Sequence, residues 1–138
     1  MLEQLQASIK INISENCKKD VIEAYENLFR SVHVFMEVRE SSIPEGGGGV
    51  RRPSESVIEK YQNARLDLLS KVVAVEIRAS NSGREAVQQL KAVLLPTGDH
   101  AVQLPVVDRA ALGRALDKVM LVASLEFSGK LPMACANS

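Results

Sequence analysis

The chain of 138 residues contains no Trp, three Phe and two Tyr. Its apolar content, 46% of the residues, is therefore aliphatic, and any core must be packed from Val, Leu, Ile and Ala. A surplus of either charge is also missing: 17 Lys and Arg balance 17 Asp and Glu. A nucleic-acid binder needs a basic excess to displace counterions, so this balance speaks against such a partner. The two cysteines, Cys17 and Cys135, do not form a disulfide framework, and the expectation is two unpaired thiols in a reducing compartment. No apolar run approaches the roughly 20 residues that span a bilayer. The first residues lack the basic stretch and apolar block of a signal peptide. These absences together predict a cytoplasmic protein with no membrane span.

What the sequence does have is helical periodicity. Val21, Tyr25, Leu28, Val32 and Phe35 step by four and three, which sets them on one helical face. Leu2, Leu5, Ile9, Ile13 and Cys17 continue that stripe toward the N-terminus. One long helix from near Glu3 to near Glu40 is predicted, with a disturbance possible around residues 12–14. Gly46 to Gly49 then interrupt the chain, since four successive glycines cannot hold a helix. Pro53-Ser54-Glu55 opens a second helix. Val57, Tyr61, Ala64, Leu68, Val72, Val75 and Ala79 form its stripe, widened by Leu69, Val73 and Ile77. Ser82, with Glu85 three residues on, matches a capping box that starts a third helix. That helix carries Ala86, Val87, Leu90, Val93 and Leu94 and stops before Pro96. Asp108 is placed to cap a last helix with Leu112, Ala115, Leu116, Val119, Ala123 and Phe127 on its face, and Gly129 to end it.

Four amphipathic segments, each unstable alone in water, predict an all-α antiparallel four-helix bundle over residues 1–130, followed by a flexible C-terminal tail over 131–138. The alternative is an α+β domain. Alternation of Ile9, Ile11 and Ile13 with polar residues suggests a strand at 8–13, and the β-branched run from Val72 to Ile77 suggests one at 71–78. In that arrangement residues 93–95 and 102–104 would pair as a hairpin over 96–100.

Chemistry is sparsely signposted. Gly46–Gly49 followed by Arg51, Arg52 and a helix start resembles the order of a phosphate cradle, but the lysine and the preceding strand of a phosphate loop are missing. Arg51 and Arg52 are the candidates for an anion or nucleic-acid contact, with Arg39 as a further cation. His33 and Glu37 stand four apart and can share a helical face. Two ligands do not close a zinc site, and the Glu-x-x-His pattern of di-metal bundles is absent, so neither metal nor cofactor is expected. His33, Glu37 and Arg65 together define a candidate ligand or enzymatic pocket. No nucleophile has an evident base and orienting group, and the pattern Gly-x-Ser-x-Gly does not occur, so an enzyme is not the expectation.

The segments Val21–Phe29, Ala64–Ser80, Glu85–Leu90 and Ala115–Phe127 resemble the successive helices of small uncharacterised bacterial four-helix-bundle proteins, over about residues 19–128. The resemblance implies a four-helix bundle and no particular activity. The functional expectation is a non-catalytic interaction or self-association module that works by helix packing with a protein partner or a second copy.

Overall fold

A computed structural model describes residues 2–42, 55–95 and 108–137. Helix α1 spans Leu2–Ser42, α2 Glu55–Glu76, α3 Asn81–Leu94 and α4 Arg109–Phe127, with a 3₁₀ turn over Ala134–Asn137. No strand occurs among the described residues.

Each helix buries the face that its periodicity marks. On α1 these residues are Val21, Ala24, Tyr25, Leu28, Val32 and Phe35; on α2, Tyr61, Leu68, Val72 and Val75. Ala86, Val87, Leu90 and Leu94 of α3 meet Leu112, Ala115, Val119, Val122 and Ala123 of α4 in the same core. Burying a side chain such as Leu28 or Phe35 contributes about 1.5–3 kcal/mol. That packing, more than helix propensity, holds the elements.

Polar contacts fix the directions. The Ser31 hydroxyl donates to Asp67 Oδ2 at 2.8 Å, and the Phe35 and Tyr61 rings lie 5.5 Å apart, so α1 and α2 run antiparallel. Lys118 Nζ donates to Gln89 Oε1 at 3.0 Å between α3 and α4. An ion pair of Arg109 with Glu40 joins the start of α4 to the end of α1. The result is an up-down-up-down bundle of two antiparallel helix pairs.

The strand alternative is overturned at both places. Residues 8–13 lie within an unbroken α1, and 71–76 within α2. The β-branched run stays helical because Val72 and Val75, three apart, both reach the core, while Val73 between them is exposed. Val73 and Ile77 therefore do not widen the core stripe as expected; they are 53% and 59% exposed. The third helix also starts differently. Its N-cap is Ser80, in extended conformation, whose side chain accepts from the Gly83 N–H; Ser82 is already inside the helix. Asp108 caps α4 as expected, accepting from the N–H groups of Ala110 and Ala111. Gly129 ends α4 with φ +81°, a left-handed conformation that only Gly adopts without cost. The first arm of the expected hairpin, 93–95, is overturned as well, since residues 93 and 94 lie in α3; the glycine run 46–49 and positions 96–104 lie outside the described residues.

The largest correction concerns the thiols. Cys17 and Cys135 form a disulfide, with Cα atoms 5.8 Å apart and 118 residues between them in sequence. Spacing along the chain could not reveal this, because the bundle brings the chain's end back beside α1. The segment expected as a flexible tail contains the 3₁₀ turn, and the backbone N–H of Ala134 donates to the carbonyls of Arg78 and Ala79. Met133 is buried in the core.

Helix α1 outruns its neighbours. Its 41 residues extend about 60 Å at 1.5 Å per residue. In the register set by Ser31–Asp67 and Phe35–Tyr61, α2 ends about level with Val21. The part of α1 before Cys17, about 22 Å long, therefore has no α2 residue opposite it.

Candidate functional site

The most distinctive chemistry is a buried polar cluster where α1, α3 and α4 meet. Glu126 is 1% exposed, yet it stands on the core face of α4, two turns after Val119. Its Oε2 accepts from the Tyr25 hydroxyl at 2.5 Å, and its Oε1 from the backbone N–H of Ser80 at 2.5 Å. Tyr25 and Ser80 are buried as well. The Tyr25 ring also packs edge-to-face on Phe127, with centroids 5.9 Å apart.

Local sequence explains the arrangement. In an ordinary capping box, the residue three after the cap is Glu or Gln, whose side chain reaches back to the cap's own N–H. Here that position is Gly83, which has no side chain. Glu126 supplies the missing carboxylate from another helix and completes the box across the bundle. The space left by Gly83 makes this possible: a Cβ there would lie 2.5 Å from Tyr25 Oη, 2.9 Å from Ala79 Cβ and 3.0 Å from Glu126 Oε1. The carboxylate also sits at the start of α3, where the helix dipole favours negative charge.

Burial, then the hydrogen bond to Glu126 and its nearby charge, push the Tyr25 phenol well above its ordinary range. Tyr25 thus stays a proton donor at neutral pH, and both oxygens of Glu126 are engaged. Enclosed on all sides, the cluster is built to lock three helices together.

The residues singled out from sequence fall elsewhere. His33 and Glu37 do meet, 3.2 Å apart, but on open surface, with side chains 76% and 67% exposed. Arg65 is exposed on α2 and acts electrostatically, with Arg39, on the Tyr61 phenol. Burial pushes the Tyr61 phenol up, and these two cations partly oppose that. Arg39 is itself buried, a poor position for gripping an external phosphate. Arg51 and Arg52 lie outside the described residues. Among the described residues, no three His, Cys, Asp or Glu side chains gather to hold a metal ion.

Sequence reading missed Glu126, Ser80, Gly83 and the polar role of Tyr25. One signal was available: an acidic residue at a core position of the last helix, seven after Val119, has to find a buried partner. No family model, curated protein or solved structure matches this chain.

Proposed function

We propose that this protein is a non-catalytic helical bundle that associates through helix packing, with a protein partner or with a second copy of itself. The observation that carries the reading is an apolar row on the outer side of α2 and the first residue of the turn that follows it. Leu66, Val73 and Ile77 are seven and four residues apart, so they share one helical face, and they are 60%, 53% and 59% exposed. Met120 and Leu121 add exposed apolar surface on α4, and Val34 on α1. Single exposed aliphatics are ordinary, but a helical row of them marks an interaction face. Covering the exposed half of each would contribute about 1 kcal/mol toward association.

No helix among the described residues is long and apolar enough to cross a membrane. The cytoplasmic setting expected from the sequence rested in part on unpaired thiols, and the Cys17–Cys135 disulfide removes that part of its support. A bond of this kind persists in oxidising surroundings.

Light scattering after size-exclusion chromatography tests the proposal, with the double variant Leu66→Glu/Ile77→Glu as control. The expected result is assembly of the parent chain, by itself or with a protein retrieved from native lysate. The variant should lose that assembly with unchanged helix content. A parent chain that stays monomeric and retrieves nothing overturns the reading.

A further inference from the structure

We propose that the outer row of α2 pairs with the same row of a second copy of this chain, antiparallel and about a two-fold axis that passes beside Ser70. The inference rests on the association reading above and names its partner. Leu66, Ser70, Val73 and Ile77 follow one another at four, three and four residues, the spacing of a helix–helix seam. All four are exposed. Ile77 lies one residue beyond α2, but its N–H still bonds to the Val73 carbonyl at 3.1 Å, so it keeps the helical register. Leu68, Val72 and Val75, on the opposite side of the helix, are buried in the core. The row therefore points away from the bundle.

Charge favours a second copy over a foreign partner. Arg65 and Glu76 are eleven residues apart, close to three whole turns, so they lie on one flank of the row. They carry opposite signs near its two ends. Arg65 is exposed and Glu76 half-buried, and neither is in an ion pair with another described residue. On the other flank, Asp67 and Lys71 lie 3.8 Å apart within the chain and offset each other. A two-fold axis perpendicular to the helix turns one end of the row onto the other and keeps like flanks together. It brings Arg65 of each copy to Glu76 of the other, so the contact is made twice. The face is its own complement. The whole chain has no net charge, so two copies approach without long-range repulsion.

Packing selects the same register independently. When Arg65 stands level with Glu76 of the second copy, Leu66 falls midway between that copy's Val73 and Ile77. Val73 in turn falls midway between its Leu66 and Ser70. The side chains of the two rows then interdigitate instead of colliding end to end. Ser70, the smallest residue of the row, sits at the centre of the contact, where it lets the backbones approach. Asp67 is level with Ala74 of the second copy, so no like charge opposes it.

Light scattering and sedimentation of the full chain across a concentration series test the pairing. The variants are Arg65→Glu, Glu76→Arg and an equimolar mixture of the two. The expected result is a dimeric parent chain. Each single variant should show a dimer dissociation constant on the order of tenfold higher, because both symmetric ion pairs become repulsions. The mixture should recover a dimer with one copy of each, since the acidic flank of one variant then meets the basic flank of the other. Helix content should be the same throughout. A mixture no more associated than its components overturns the pairing. So does a parent dimer that both single changes leave intact; loss of that dimer in Leu66→Glu/Ile77→Glu would then still uphold the association reading. A monomeric parent that retrieves another protein overturns the second copy but not that reading. A monomer that retrieves nothing overturns both.

Discussion

At the scale of single residues, two glycines in helices have opposite requirements. Gly83 faces Tyr25, Ala79 and Glu126, and an added Cβ would come within 2.5 Å of the phenol oxygen. Gly83→Ala should cost about 1–3 kcal/mol from overpacking, more than the gain of up to about 1 kcal/mol in helix propensity. Gly113 on α4 has nothing within 4 Å of where its Cβ would stand, so Gly113→Ala should stabilise by up to about 1 kcal/mol. Thermal melting of the two variants should show shifts of opposite sign. Tyr25 adds a pH dependence. In the unfolded chain it ionises near its ordinary value of 10.0, whereas the folded protein keeps it protonated well above that. Its contribution to stability is thus fully present below about pH 10, where both states hold the proton. It declines as pH rises further, because the unfolded state then binds fewer protons, by about 1.4 kcal/mol per pH unit. Urea unfolding at alkaline pH should show this decline in the parent chain and a shallower one in Tyr25→Phe. That variant should also lose about 1–3 kcal/mol at neutral pH, because Glu126 is left short of a donor.

At the scale of elements, the helix ends are set by side chains that reach the first free N–H groups. Asp108 satisfies two of them at the start of α4. Asp108→Ala should cost about 1 kcal/mol, measurable as a lower urea midpoint at unchanged helix content. This cap was legible in the sequence because both partners are local. So were the four stripes, since each needs only three- and four-residue spacing to be recognised. The start of α3 was misread for a complementary reason. Ser82 with Glu85 makes a complete local box, whereas Ser80 has Gly83 where the acid should be and takes its carboxylate from α4, 46 residues away. The exposure of Val73 and Ile77 was equally hidden, because a β-branched residue beside a stripe reads as part of it until the neighbouring helix is in place. The disulfide and the Tyr25–Glu126 bond, 101 residues apart in sequence, are products of tertiary folding. Of the polar cluster, only the acidic intrusion at Glu126 left a local trace.

At the scale of the whole molecule, the two helix pairs are tied together at one end by buried polar contacts and a covalent bond. There Glu126 links α4 to α1 and to the start of α3, and Cys135 links the chain's end to Cys17. Near the end of α1, the exposed ion pair of Arg109 and Glu40 reaches the start of α4, the kind of contact that contributes little. The length of α1 has a hydrodynamic consequence. A compact chain of this size has a radius of gyration of about 14 Å, and a sphere of that radius of gyration is narrower than α1 is long. The molecule therefore carries a spar. It tumbles anisotropically and sediments more slowly than its mass alone would dictate, and an attachment at the tip of α1 would act on the bundle through a lever of about 22 Å.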